Sequence, residues 1–279
     1  MITSITPLLA AAQASRQAVG SFNVYSYETV RGVLEAGAKT GKPVIVAFGE
    51  RYLENMGFDT LVGMCRTVAA ELEVEYAIHL DHCKKLDNVY RAIHAGFTSV
   101  MYDGSALPFA ENAANTAAVV QVAHALGVSV EAELGSLASG ANSQEREDND
   151  QQVYTDPAEA AEFVALTGCD ALAVSIGTVH GAYQGTPNIR LDILDSIRAA
   201  VDTPLVLHGG SGTPDDVVAA CISGRITKIN VNTEISTHAS GRLKAYLAEA
   251  GTPHLSVISS QLVDYVAESV TGYIHQFAS

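Results

Sequence analysis

An α/β chain closed as a single (β/α)8, or TIM, barrel over residues 1–279 is the architecture this sequence predicts, and three observations predict it. Strand-length apolar runs alternate with longer amphipathic stretches, as βα units with a parallel sheet require, and eight such runs occur. The length of 279 residues suits a closed barrel, which reaches roughly 250 residues as one domain. Chemically reactive side chains stand at the carboxyl ends of the runs, the rim where barrel enzymes carry their sites.

Met1 to Ala14 is apolar but lacks a basic leader and a cleavage context, so it predicts a first helix and no signal peptide. The first strand, Ser21 to Val24, carries Asn23 and precedes a helix over Thr29 to Thr40. The second, Pro43 to Phe48, runs into Gly49-Glu50-Arg51-Tyr52. The third, Tyr76 to Leu80, leads into Asp81 and His82, with a helix over Leu86 to His94. The fourth, Ser99 to Tyr102, ends at Asp103 before a helix over Phe109 to Leu126, and the fifth, Ser129 to Leu134, contains Glu133. Ser136 to Gln152 is polar and rich in Gly, Asn, Asp and Glu; it predicts a mobile loop, since the βα alternation resumes directly after it. Asp156 then supplies an N-cap, Pro157 a first-turn proline and Glu159 a favourable dipole charge for a helix to Thr167. The sixth strand, Ala171 to Ile176, leads to His180, and a helix covers Leu191 to Ala200. The seventh, Leu205 to His208, enters a glycine-rich turn at Gly209 to Gly212; the eighth, Lys228 to Val231, contains Asn230; a last helix covers Gln261 to Phe277.

Composition excludes several functions. Hydrophobic residues make up 48% and charged residues 17%, enough for a core, and no apolar stretch reaches the roughly 20 residues that span a bilayer. A formal charge of −15 without a basic stripe argues against nucleic-acid binding. Cys65, Cys83, Cys169 and Cys221 are scattered, which argues against a disulfide framework or a thiolate metal site and fits a reducing cytoplasm.

His82, His180 and His208 each follow a strand-like run, which would place three imidazoles at one barrel rim. Three neutral nitrogen ligands with an open position form a common catalytic zinc arrangement. Asp103 and Glu133, at neighbouring strand ends, are candidate alternate or second-site ligands. His79 shares the alternation face of Asp81 and is a candidate for orienting the site. His94, His124, His238, His254 and His275 read as surface or packing residues. Gly209, Gly210 and Ser211 after the seventh strand, and Asn230 to Thr233 after the eighth, lie where barrels present amides and hydroxyls to a phosphate, and Gly181 adds another amide.

In combination and order, Ser21-Phe22-Asn23-Val24-Tyr25, His79-Leu80-Asp81-His82, Met101-Tyr102-Asp103-Gly104-Ser105, Glu131-Ala132-Glu133-Leu134-Gly135, Ala173 to Gly181, Pro204 to Gly212 and Lys228 to Glu234 resemble the class II, metal-dependent ketose-bisphosphate aldolases, in the branch of the tagatose- and fructose-bisphosphate enzymes. The resemblance covers nearly the whole chain. It implies zinc on His82, His180 and His208, and cleavage of a ketose 1,6-bisphosphate to dihydroxyacetone phosphate and an aldehyde such as glyceraldehyde 3-phosphate through an enediolate. It further implies Asp81 as acid-base group, Ser211 and Thr233 as phosphate ligands, Asn230 on the dihydroxyacetone portion, Asn23 and Asn232 at the substrate, a monovalent cation (Na+ or K+) near the phosphate, and a cytoplasmic homodimer or homotetramer. A loop glutamate would protonate the enediolate; Glu147 is the first candidate and Glu145 the second, although the loop lacks a clean Gly-Gly-x-Glu-Asp match.

The chain departs from the family at the distal end of the substrate. Asn232 stands where fructose-bisphosphate enzymes typically carry Asp and tagatose-bisphosphate enzymes Ala, and the last helix from Gln261 has no Arg. Arg51 is then the candidate for a distal phosphate or other anionic group. Three alternatives follow: an aldolase for another ketose 1-phosphate, a Schiff-base aldolase using Lys228, and a noncatalytic sugar-phosphate-binding or assembly subunit.

Overall fold

Eight parallel strands close into a barrel in a computed structural model of the chain, which describes residues 1–139, 153–181 and 188–279. In chain order the strands are β1 (Val19–Asn23), β2 (Val44–Gly49), β3 (Tyr76–Cys83), β4 (Ser99–Tyr102), β5 (Ser129–Leu134), β6 (Ala138–Ser139), β7 (Ala171–Val174), β8 (Val179–His180), β9 (Leu205–Leu207) and β10 (Ile226–Val231). β6 and β8 pair with each other at the rim, and the other eight form the barrel, closed where Val19 to Phe22 of β1 register with Lys228 to Val231 of β10. The helices are α1 (Ile5–Ser15), α2 (Tyr27–Thr40), α3 (Phe58–Ala69), α4 (Leu86–Ala95), α5 (Phe109–Ala125), α6 (Pro157–Thr167), α7 (Leu191–Ala200), α8 (Asp215–Ser223), α9 (Thr233–Ala250) and α10 (Leu255–Phe277). Among the described residues no helix is long and apolar enough to cross a membrane.

Two cores explain the barrel. Val44, Val46 and Phe48 of β2 pack outward against the helices, whereas Ile45 points inward. Such two-faced burial is why parallel strands read as unbroken apolar runs. Ile5, Leu8, Leu9 and Ala12 of α1 pack against Ile45, Ala77, Ala171, Ala173 and Val206, closing the interior opposite the reactive rim. Burial of one such leucine stabilises by about 1.5–3 kcal/mol. The predicted cap of α6 is present: Asp156 accepts from the amides of Ala158 at 2.8 Å and Glu159 at 3.1 Å.

Several boundaries differ from the sequence pattern. β3 continues past Leu80 through Asp81 and His82, because the ladder persists across a register shift after the apolar residues have ended. β7 ends at Val174 rather than Ile176, and β9 at Leu207. Helices α3, α8 and α9 are additional to those predicted; α9 in particular holds Thr, Ser and Gly where a clear apolar stripe would stand. Part of the predicted Ser136 to Gln152 loop lies outside the described residues, and its start contains β6.

Candidate active site

The imidazoles of His82, His180 and His208, on β3, on β8 and just after β9, converge. One ligand atom from each lies within 4.8 Å of the others, and the His82 ring stands 4.9 Å from His180 and 4.5 Å from His208. His82 reaches this position with φ +42, left-handed backbone that is uncommon outside glycine.

Acidic neighbours orient the rings. Asp103 Oδ2 lies 3.2 Å from His82 Nδ1, and Asp103 is itself held by the amide and hydroxyl of Ser105 at 3.2 and 2.6 Å. With Nδ1–H given to Asp103, the lone pair of neutral His82 belongs to Nε2. On His208, Nε2 bonds to Glu131 Oε1 at 2.9 Å, while the buried Nδ1 has no hydrogen-bond partner among the described residues. An imidazole nitrogen buried beside two further imidazoles without a hydrogen bond is costly unless an electrophile takes its lone pair, so the donor set fits a zinc ion. His82, Asp103 and Glu133 form a second convergent group, with Glu133 Oε2 3.7 Å from His82 Nδ1.

Beneath the imidazoles lies a charged network that the motifs alone did not reveal. Glu131 and Lys228 are fully buried and pair at 2.9 Å; Glu131 also faces His79 at 3.6 Å, and His79 meets Ser99 Oγ at 2.8 Å. Burial first, and Lys228 second, push His79 down to about 4, so its ring is neutral at physiological pH. Lys228 Nζ donates to Asn230 Oδ1 at 2.6 Å. The lysine considered for a Schiff base is thus committed to an ion pair and an amide. Glu131 could have been found in the sequence: it precedes Glu133 by two, and so shares its strand face.

Asp81 is 1% exposed and placed by two amides, Asn23 Nδ2 at 2.9 Å on Oδ2 and Asn230 Nδ2 at 3.0 Å on Oδ1. Burial alone would raise its pKa, but positive charge among its neighbours, the buried Lys228 among them, outweighs burial and holds the carboxyl below the ordinary range. Asn23 and Asn230, expected at the substrate, here hold the carboxylate.

Two clefts flank the imidazoles. The first is lined by Gly181, Gly209, Ser211, Asn230, Asn232 and Thr233, with Asn23, His82 and His180 at its edge, so the residues predicted to cradle phosphate are brought together. Ser211 Oγ accepts the amides of Asn232 at 3.3 Å and Glu234 at 3.2 Å, at the positive end of α9. Gly209 has φ +72, and a Cβ there would stand 2.3 Å from the Val179 carbonyl oxygen, so the turn requires glycine. Gly210 packs behind the cleft, its amide on the Asn230 carbonyl at 2.9 Å.

The second cleft, about 400 Å³, opens beyond β2 and is bordered by Arg51, Tyr52, Lys84 and Lys85 together with Asp81, His82, Asp103 and His180. Arg51 is exposed on the 3-10 turn Glu50–Glu54, its guanidinium 5.9 Å from the Tyr52 ring centre, so it borders the site rather than lying elsewhere on the surface. Glu147 and Glu145 lie outside the described residues.

The family described as class II fructose-bisphosphate aldolase matches residues 3–279. Among solved structures, the YdjI aldolase of Escherichia coli K12 is 32% identical with a TM-score of 0.87, covering 99% of this chain and 97% of that one. A Coccidioides immitis protein assigned as a fructose-1,6-bisphosphate aldolase is 26% identical with a TM-score of 0.85, over 97% and 94% of the two chains. A fructose-bisphosphate aldolase of Campylobacter jejuni, 21% identical with a TM-score of 0.79 over 99% and 95%, shares the fold.

Proposed function

The chain belongs to the class II fructose-bisphosphate aldolase family, and we propose that it reversibly cleaves a ketose 1,6-bisphosphate of the fructose or tagatose type to dihydroxyacetone phosphate and an aldehyde such as glyceraldehyde 3-phosphate. The observation that carries the reading is the convergence of three imidazoles beside a buried carboxylate and a glycine-rich anion cradle.

His82, His180 and His208 would hold one zinc ion, with Asp103 and Glu133 as alternate ligands. Zinc bound there supplies an electrophile that polarises the ketone and stabilises charge left on carbon when the bond breaks. Asp81 takes the proton from the carbon-4 hydroxyl during cleavage and returns it to the aldehyde oxygen during condensation. Its low proton affinity and two amide bonds keep it ionised and aimed. The amides of Gly181 and Gly209 and the hydroxyls of Ser211 and Thr233 bind the 1-phosphate, and Asn23, Asn230 and Asn232 line the path of the carbon chain. Arg51 meets the distal anionic group, and Glu147 is the group that returns a proton to carbon. A cytoplasmic homodimer or homotetramer with Na+ or K+ near the phosphate completes the reading.

The test is dihydroxyacetone phosphate release from a panel of ketose 1-phosphates and 1,6-bisphosphates, with zinc-loaded and chelator-stripped protein, alongside borohydride trapping. Release that zinc restores and chelation abolishes is expected. Persistent release after chelation, a borohydride-trapped Lys228 adduct, or no release from any substrate would overturn the proposal.

A further inference from the structure

Tyr52 and Asn232 touch across the boundary between the two clefts. Asn232 Nδ2 donates to the Tyr52 hydroxyl at 3.0 Å. Tyr52 lines the larger cleft and Asn232 the phosphate-side cleft, while His82 and His180 border both. A ketose with its 1-phosphate in one cleft and its carbonyl at the imidazoles must send the carbons of its aldehyde half past this contact.

The contact is braced from each side. The Tyr52 ring packs 5.1 Å from Tyr25 and 6.2 Å from Phe48, and the Asn232 backbone amide is held by Ser211 Oγ at 3.3 Å. Both residues are half-buried and neither side chain is charged. What such a pair offers a passing hydroxyl is directional hydrogen bonding, which distinguishes epimers, rather than a Coulomb attraction that would accept either. A phenol that fixes the amide plane also fixes which face of the carbon chain meets a partner.

We propose that Tyr52 is a positioning residue that, by holding the Asn232 amide, sets which configuration is accepted at the hydroxyl-bearing carbon beside the cleaved bond. The discriminated substrates are ketose 1-phosphates epimeric at carbon 4. The inference rests on the aldolase reading above and deepens it: Asn232 alone would be a ligand, whereas Asn232 tied to Tyr52 couples the turn after β2 to the end of β10.

The experiment compares unmodified protein, Tyr52→Phe, Asn232→Ala and the double variant in two assays. One is kcat/KM for the fructose- and tagatose-type 1,6-bisphosphates; the other is exchange of a dihydroxyacetone phosphate carbon-bound proton with solvent, which involves no aldehyde. Tyr52→Phe should change the epimer ratio about tenfold, more than it changes exchange. Asn232→Ala should move the ratio in the same direction, and the double variant should move it no further than Asn232→Ala alone. An epimer ratio within about twofold of the unmodified protein in Tyr52→Phe, additive shifts in the double variant, or an exchange rate that falls as far as cleavage would each overturn the inference. Failure of the aldolase reading looks different: the unmodified protein would neither exchange nor cleave, and the inference would fall with it.

Discussion

The two clefts at the barrel mouth are built on different physical plans. The phosphate-side cleft and the imidazoles rest on barrel strands, on the segments directly after them and on the β6–β8 pair at the rim, on glycines admitted by backbone geometry, and on carboxylates buried with their partners; Asp81, Glu131 and His208 are all nearly or fully sequestered. The cleft beyond β2 is bordered by Arg51 on a five-residue 3-10 turn and by Lys84 and Lys85 after β3, with long side chains and more solvent. The first plan holds each side chain by burial and by named polar partners, and suits the half of the substrate where bonds break. The second tolerates variation and suits the half that distinguishes one sugar from another. Perturbing each side should therefore give different kinds of loss.

The largest effect should come from Asp81→Ala. Removal of a positioned acid-base group lowers rate by roughly 100- to 10,000-fold. Cleavage kcat with zinc-loaded protein measures it, and metal content measured in parallel should stay at one ion per chain. A variant that retained rate within tenfold would show that the proton moves through another group.

Next in size is Glu131→Gln. It leaves Lys228 buried without its counter-charge, which costs roughly 3–5 kcal/mol and lowers Tm on the order of ten degrees. It also removes the group that orients His208, so zinc affinity should weaken about 10- to 100-fold. Lys228→Met added to Glu131→Gln should recover stability without recovering zinc affinity. Recovery of both together would mean that Glu131 serves the fold alone, and the buried side of the comparison would lose its functional meaning.

The legibility of the sequence divides along the same line. The eight-strand alternation, the imidazole trio, Asp81 and the glycine turn could all be read, because buried strands and forced glycines leave few residue types that fit. Asp81 and His82 lay past the predicted strand end, since apolar periodicity stops at Leu80 while backbone pairing continues to Cys83. The sequence places Asn23 and Asn230 at strand ends on the rim but does not reveal them as partners of one carboxylate, and the Glu131–Lys228 pair joins β5 to β10 across the barrel interior. Such contacts depend on strand stagger, which no local pattern encodes. The Tyr52–Asn232 bond is more remote still, joining residues 180 apart in sequence.

The smallest effect, and the one that probes the exposed cleft directly, is Arg51→Ala. An exposed guanidinium meeting a substrate anion is screened by solvent, so its removal should lower kcat/KM for a 1,6-bisphosphate by about tenfold or less. For a ketose 1-phosphate with an uncharged tail the change should stay within about twofold, because no anion reaches the β2 turn. Raising ionic strength should shrink the difference between the two substrates in the unmodified protein and leave it small in the variant. Equal losses on both substrates would instead make Arg51 a support for the Tyr52 ring it overlies, and anion selection would then belong to Lys84 and Lys85 across the same cleft.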